Sequence, residues 1–470
     1  MSFPAEASGC SVDPIAALSA AVYAVRPPLD GPHMRRCLIA GFTASLLLPV
    51  LASAADLDSL VTQLAPRAIE LRHQIHQYPE LGNREFETAK LVVAHLQSLG
   101  FEVRTGVAHT GVIGVLRGGK PGPTIAVRAD MDALPVVEDT DLPFASTQRT
   151  TYDGQEVGVA HACGHDVHTA VQLGLASVLA GMREELAGTV LLLFQPAEEG
   201  PPAGEEGGAA LMLKEGVFDE FKPAAIFGLH VFPEFEVGTV AYASGPVQAA
   251  SDTWRAVIHG KQAHGAWPQL AIDPVVIAAE AVLSLQTIRS RNVDPTEAAV
   301  LTVGIIRGGQ RENIIPSEVE LRGTVRTYER AVQDLVEKRM GEILSGVAQA
   351  GGATVEFEYQ RENPPLVNDA TLSAWAGERL KARLGEDKVQ PMRPVMGAED
   401  FAFFSERVPG FYFRLGPTKP GTVNGNLHTP TFRADDGAIP VGMRAMAGLV
   451  VDFLAAPPMK TYPDAAHGSD

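Results

Sequence analysis

Apolar and polar positions alternate along this chain in two different ways, and the change between them outlines its organisation. From residue 56 to about 245, helical stripes and short apolar runs follow one another. The stretch Glu85–Leu99 places Phe86, Ala89, Val93 and Leu96 on one face of a helix that Gly100 ends. Apolar runs at Val112–Leu116, Thr124–Arg128, Val190–Phe194 and Ala225–Leu229 read as strands, with helices near 166–182 and 207–218. Near-continuous apolar strands between helices predict a mostly parallel sheet with helices on both faces. Between about 250 and 361 the pattern changes. Thr253–Gly260, Ala298–Ile306, Glu318–Thr327 and Ala353–Tyr359 read as strands, and Pro274–Ser290 and Ala331–Ala350 as helices. That βαββαβ order is ferredoxin-like, and its length suffices for a small domain. After Asn363-Pro364-Pro365 the first pattern returns, with a helix near 370–384 and a strand at Phe411–Leu415. The expected fold is therefore an α/β domain in two parts, 55–249 and 362–455. It is interrupted by an inserted ferredoxin-like α+β domain at 250–361 and followed by a loose tail at 456–470.

The amino terminus reads as an address. Met34-Arg35-Arg36 precedes the apolar run Cys37–Leu51, and Ala52-Ser53-Ala54 supplies small residues at the spacing of a signal-peptidase site. The run is short of the roughly 20 residues a membrane span needs, and Pro49 interrupts it, so no stable membrane anchor is expected. Residues 1–33 then read as a non-native or disordered extension and 34–54 as a signal peptide, which predicts a periplasmic or secreted protein. Cleavage at Ala54 would remove two of the three cysteines and leave Cys163 alone, so no disulfide framework is available. The 56 acidic residues outnumber the 38 basic ones, and a net charge of −18 repels phosphate backbones and disfavours nucleic-acid binding.

Candidate chemistry sits where the apolar strands end. In a parallel α/β sheet the loops after the strands converge on the ligand crevice. Thr124–Arg128 runs into Asp130 and Asp132, Leu191–Phe194 into Glu198 and Glu199, and Ile226–Leu229 into His230. Between them lies His161-Ala-Cys163-Gly-His165-Asp166-Val-His168. Thiolate, imidazole and carboxylate suit borderline divalent metals, so Cys163, His165, Glu199 and His230 are candidate ligands, with His428 a further one. Five donors exceed the needs of one tetrahedral ion and fit a pair about 3.5 to 4 Å apart, of the kind that clamps a hydrolytic water. A metal would also account for a lone exported thiol, since a metal-held cysteine is deprotonated and kept from exchange. Adjacent carboxylates on an extended segment point to opposite sides, so one of Glu198 and Glu199 can bind metal while the other remains free as a base. His76, His161 and His168 read as further ligands or, as is commoner for spare histidines near a metal, as packing or supporting hydrogen-bonding groups. Arg326 reads as a carboxylate binder or as one half of a salt bridge, and His264 as a histidine in a strand-end loop.

Eight motifs resemble those of a known metal-dependent amidohydrolase and peptidase family, the co-catalytic metal amidohydrolases. It includes hippurate hydrolase, bacterial N-acyl amino acid hydrolases and plant indoleacetyl amino acid hydrolases. The motifs are His76-Gln-Tyr-Pro-Glu80-Leu, Arg128-Ala-Asp-Met-Asp-Ala-Leu-Pro135, His161-Ala-Cys-Gly-His-Asp166, Gln195-Pro-Ala-Glu-Glu-Gly200, Lys261-Gln-Ala-His264-Gly-Ala-Trp-Pro268, Asn313-Ile-Ile-Pro316, Met396-Gly-Ala-Glu-Asp400-Phe and Leu427-His428-Thr-Pro430. They span most of residues 60–455 in family order, with Gly265 standing where alanine is usual. The resemblance implies that Cys163, His165, Glu199, His230 and His428 bind two divalent ions, with zinc, manganese, nickel and cobalt all suitable. It implies Glu198 as general base and Asp132 as an acid that orients a metal ligand. It further implies His264 as the group that steadies the oxyanion, sometimes from a partner subunit, and Asn313 as a contact for the substrate carboxylate.

The expected activity is hydrolysis of N-acyl amino acids, with a metallocarboxypeptidase or dipeptidase as the near alternative and short peptides as its substrates. An exported binding protein is the alternative from another class, against which the free Glu198 argues. A third reading makes Cys163 a nucleophile, which chelation distinguishes from a metal enzyme. A homodimer or higher homo-oligomer through the inserted domain is also expected.

Overall fold

The computed structural model describes residues 54–458. The extension over 1–33, the signal segment over 34–53 and the tail beyond 458 lie outside the described residues. In chain order the strands that carry the architecture are β1 (Glu102–Val107), β2 (Gly111–Arg117), β3 (Lys120–Asp130), β4 (Ala187–Gln195), β5 (Ile226–Val231), β6 (Val240–Tyr242), β7 (Ser251–His259), β8 (Ala299–Gly308), β9 (Glu318–Thr327), β10 (Thr354–Asn363), β11 (Val389–Pro391) and β12 (Gly410–Leu415). The helices are α1 (Ala54–Gln77), α2 (Phe86–Ser98), α3 (His165–Gly181), α4 (Gly208–Lys214), α5 (Pro274–Leu285), α6 (Arg330–Ala350), α7 (Ala370–Leu384), α8 (Phe401–Ser405) and α9 (Ala438–Ala455).

Eight strands form one sheet in the order β1-β2-β4-β3-β5-β12-β6-β11. Its centre, β4 to β12, is parallel, while β1, β2 and β6 run antiparallel to their inner neighbours. Alternate side chains of the central strands enter different cores, as the two-residue period of a strand requires. Val190, Leu192 and Phe194 pack under α1, α2, α3, α7 and α9, whereas Leu191 and Leu193 pack under α4 and α8. Burial on both faces is why these strands read as unbroken apolar runs. Helix α9 is largely apolar because it packs against α1, α3 and α7, and its two charged residues, Arg444 and Asp452, are held in ion pairs with Asp58 and Arg383.

The second sheet has the order β8-β9-β7-β10, antiparallel throughout, and its elements follow the βαββαβ succession. Trp254, Leu321 and Val325 pack against Ile277 and Ala281 of α5 and Met340 and Leu344 of α6. Asp273 starts α5 by accepting the Val275 N–H at 2.9 Å. The opposite face carries Arg255, Glu320 and Arg322 in ion pairs. Two elements are shorter than the pattern predicts. The helix near 207–218 ends at Lys214, just before Gly216 adopts a φ of 82°. The helix from Pro274 stops at Leu285 and is followed by a wider π turn over Ile288–Asn292.

Candidate functional site

The carboxyl ends of β3, β4 and β5 deliver Asp130 and Asp132, Glu198 and Glu199, and His230 to one place. The turn before α3 adds Cys163 and His165. Gly164 makes that approach possible, because its φ is 85° and a Cβ there would lie 2.3 Å from Val231 Cγ2. His428 arrives on a loop far along the chain, pinned by its own N–H, which donates to the Ala162 carbonyl at 2.8 Å.

The Cys163 sulfur lies 3.3 Å from His230 Nε2 and 3.2 Å from His428 Nε2. His428 Nε2 is also 3.1 Å from Glu199 Oε1. His165 Nε2 faces Glu198 at 3.8 Å and Glu199 at 3.9 Å. The other ring nitrogens of His230 and His165 are already engaged. His230 Nδ1 donates to the Val231 carbonyl at 2.7 Å, and His165 Nδ1 donates to Asp132 at 3.1 Å. The other Asp132 oxygen accepts the Glu199 N–H at 3.0 Å, so one acid holds the ring of one candidate ligand and the backbone of another.

Three observations test whether these residues fit metal ions. His165 Nε2 is buried with no hydrogen-bond partner among the described residues, which leaves its nitrogen facing the carboxylates. Cys163, His165 and His230 form one compact donor group, and Cys163, Glu199 and His428 another that shares the sulfur. The titration behaviour shows a site crowded with negative charge. Burial opposes protonation of His165, yet Asp130, then Asp132 and Glu199, raise it to about 10. Burial, then Glu199 and Glu198, push the Cys163 thiol up, so a thiolate there requires a cation. Burial, then His168, pulls His230 down and keeps its imidazole neutral, as a ligand must be. The residues fit two divalent ions, which Cys163, His165, Glu199, His230 and His428 would hold.

Glu198 stands beside this set with its side chain 10% exposed. Burial, then Glu399, Glu199 and Asp400, push its carboxyl up, with Arg128 acting against them. Arg128 is the buried hub of this corner. It donates to Asp130 at 2.6 Å, Asp400 at 2.8 Å and Gln195 at 2.8 Å, and lies 2.9 Å from Glu399. Tyr412 donates to Glu399. A second buried network supports the start of α3. Arg72 donates to Asp166 at 2.7 Å, and His76 bridges Asp166 and Glu138 at 2.8 and 3.1 Å. Both partners of His76 only accept, so both of its nitrogens donate. Although burial opposes it, the Asp166 charge and the bonds to Asp166 and Glu138 raise His76 to about 9.

The structure brings together Glu198, Asp132, Cys163, His165, Glu199, His230 and His428. It does not bring His264 or Asn313 to them. These two are exposed neighbours on the short pairing of Ala263–His264 with Ile314–Ile315, where the Gly265 N–H donates to the Asn313 carbonyl at 2.8 Å. The expected division of labour between Glu198 and Glu199 rests on extended backbone, and that geometry is corrected here. Ala197 has a φ of 51° and the two glutamates occupy a turn, so both carboxylates face His165. Their roles separate by surroundings, with Glu199 against His428 and Glu198 against Glu399 and Asp400. His168 serves as a hydrogen-bonding group, donating to Asp130 at 2.6 Å and accepting the Val231 N–H at 2.9 Å. Motif reading alone assigned no role to Arg128, Glu399 or Asp400. Their signal is a charged group embedded in an apolar run, Ile125–Ala129 in one case and Glu399–Phe404 in the other.

The centre forms part of the lining of a cavity of 1120 Å³ that is also lined by Leu211 of α4, Phe403 of α8, and Arg326 and Gln360 of the second sheet. Arg326 is half-buried and makes no ion pair among the described residues.

The family model described as Peptidase family M20/M25/M40 matches residues 126–452. The chain is 37% identical to thermostable carboxypeptidase 1 of Saccharolobus solfataricus over 84% of this chain and 97% of that protein. It is 38% identical to N-acetyl-L-cysteine deacetylase of Bacillus subtilis over 83% of this chain and 87% of that one. Among solved structures it is similar to the YXEP protein of Bacillus subtilis, described as a dinuclear metal binding peptidase from the M20 family. That match has a TM-score of 0.72 and 36% identity, and covers 84% of this chain and 99% of that one.

Proposed function

The chain belongs to peptidase family M20/M25/M40, and from that premise we propose that it is a two-metal hydrolase cleaving the amide bond of N-acyl amino acids to a carboxylic acid and a free amino acid. One observation carries the reading: a carboxylate outside the compact sulfur-sharing donor groups, Glu198, borders the same cavity as the ligands, and that cavity has room for an acylated amino acid. Two divalent ions held by Cys163, His165, Glu199, His230 and His428 polarise a carbonyl and acidify water when bound. Glu198 takes the proton of the attacking water and delivers it to the amide nitrogen as the C–N bond breaks. Burial beside Glu399 and Asp400 makes Glu198 a stronger base than an exposed glutamate. Arg326, on the cavity wall and without an ion pair among the described residues, receives the substrate carboxylate.

A charge-assisted bond of that kind is worth about 1.5–3 kcal/mol. Arg326→Ala is therefore expected to raise KM by about 10- to 100-fold with kcat changed far less. An unchanged KM removes Arg326 from the substrate site. The activity itself is tested with a panel of N-acetyl, N-benzoyl and indoleacetyl amino acids set against dipeptides with a free amino terminus. The likeness to a carboxypeptidase supports a second reading, peptide cleavage from the carboxyl end, for which Arg326 is equally suited. Faster turnover of the dipeptides selects that reading, and no turnover of either set defeats both.

His264 and Asn313 fit the same reading as groups supplied by a second copy of the chain. They stand exposed beside Trp267 and Leu270, which are 56% and 55% exposed. A dimer through the inserted domain would carry them to the partner's cavity, where His264 steadies the oxyanion. His264→Ala and Glu198→Gln would then each be inactive alone, while their mixture regains about a quarter of wild-type activity through hybrid dimers with one intact site. A mixture that stays inactive rejects the arrangement.

A further inference from the structure

The stretch from His76 at the end of α1 to Glu85 just before α2 includes a motif that the mechanism above leaves without a task, yet it touches each of the three loops that build the centre. His76 donates to Asp166, the neighbour of His165. The Glu80 carbonyl accepts the Ala133 N–H at 2.7 Å, next to Asp132. The Glu85 carboxylate accepts the Ala197 N–H at 2.8 Å, next to Glu198. Close approach is built in, since a Cβ on Gly82 would lie 2.8 Å from the Gly200 carbonyl.

Glu85 is fully buried, and its second oxygen accepts a hydrogen bond from the Thr110 hydroxyl. The residue it holds, Ala197, sits in the left-handed region with a φ of 51°, which an L residue disfavours unless its surroundings impose it. That turn is what aims Glu198 and Glu199 at one centre. We propose that Glu85 is a positioning residue for amide hydrolysis, holding the Ala197 N–H so that the left-handed turn presents Glu198 to the water. It acts through Ala197 and touches neither substrate nor ligand. The inference rests on the assignment of Glu198 as the base.

Glutamine is the discriminating replacement. Its carbonyl still accepts from Ala197, and its amide can donate to Thr110 Oγ1, whose hydroxyl is free to turn. Burial and then Asp132 push the Glu85 carboxyl up to about 8, which lowers the cost of a neutral amide in its place. Leucine removes both bonds at similar volume.

Wild type, Glu85→Gln, Glu85→Leu and Thr110→Val, each loaded with metal, are compared by kcat and KM on an N-acyl amino acid. Bound metal per chain is measured by elemental analysis, and deuterium uptake is followed in the peptide spanning 195–200. Glu85→Leu is expected to lose about 10- to 100-fold in kcat, the usual cost of a small misplacement of a catalytic group, with KM nearly unchanged. Its metal content stays that of wild type, and the Ala197 amide exchanges faster. Glu85→Gln retains at least about a third of kcat and wild-type uptake, because the accepting oxygen survives. A kcat for Glu85→Leu within about twofold of wild type overturns the proposal, since a misplaced base costs more than that. So do an equal loss in Glu85→Gln, unchanged deuterium uptake, or a loss of metal. Should Glu85→Leu fail to fold, Thr110→Val decides, with a kcat loss of about three- to tenfold expected for one missing supporting bond and wild-type values overturning the idea. If wild type hydrolyses none of the panel, the base assignment fails, whereas the uptake contrast still reports on the Glu85 contact by itself.

Discussion

Glu198→Gln is expected to lower kcat by about 10²- to 10⁴-fold, the range that general acid–base catalysis supplies, while the protein keeps its two metal ions. The expectation follows from where the carboxylate stands. Its oxygen is 3.8 Å from His165 Nε2, and it forms compact groups with His165 and Glu199 and with Glu399 and Asp400, neither of which includes the Cys163 sulfur. A group placed beside a ligand set and outside it can exchange protons without being held by a cation. Its acidic neighbours and its burial both favour the protonated form, so it binds the proton of water firmly enough to carry it to the leaving nitrogen. Glutamine preserves shape and removes only the basic oxygen. Steady-state kinetics with elemental analysis checks the prediction. A variant with wild-type kcat excludes Glu198 as the base, and a variant that loses metal makes it a ligand instead.

Chelation should abolish turnover, with a fall of at least about 10³-fold, because the charge stabilisation a metal supplies is worth several kcal/mol of the barrier. Activity should return when divalent ions are restored to wild type, and should not return in Cys163→Ala, which lacks the sulfur common to the two donor groups. The surroundings of Cys163 also decide between a ligand and a nucleophile. A nucleophilic cysteine needs an electropositive setting that lowers its pKa. Here burial and the carboxylates of Glu199 and Glu198 do the reverse, so only a bound cation can hold this sulfur as a thiolate. Metal-stripped protein that stays active and is blocked by a thiol alkylating agent would falsify the metal reading and reinstate the nucleophile.

Much of the site was legible before any folding was considered, since donor type is carried by the residue and strand-end placement follows from local periodicity. Cys163, His165, Glu199 and His230 follow or flank apolar runs that burial on both faces makes continuous, so the pattern and the chemistry lie in adjacent residues. His428 was less visible because its loop has no strand before it, and its place is set by a bond to Ala162 across the chain. Glu85 is the opposite case. It opens a helix, where a glutamate is ordinary, and only the approach of Ala197 from 112 positions away gives it a partner.

The amino-acid sequence by itself determined the two alternating patterns, the βαββαβ succession of the insert, the ligand types and the family, because each rests on neighbouring residues or on motif order. The tertiary structure alone decided that Glu198 and Glu199 share a left-handed turn, that Arg128 meets Asp400 across 272 positions, and that His264 and Asn313 stay apart from the centre within one chain. The physical reason is that burial, electrostatic crowding and hydrogen-bond partnership are properties of groups brought together from distant segments. Periodicity can place a side chain on a face or at a strand end, but it carries no information about which other segment will arrive opposite.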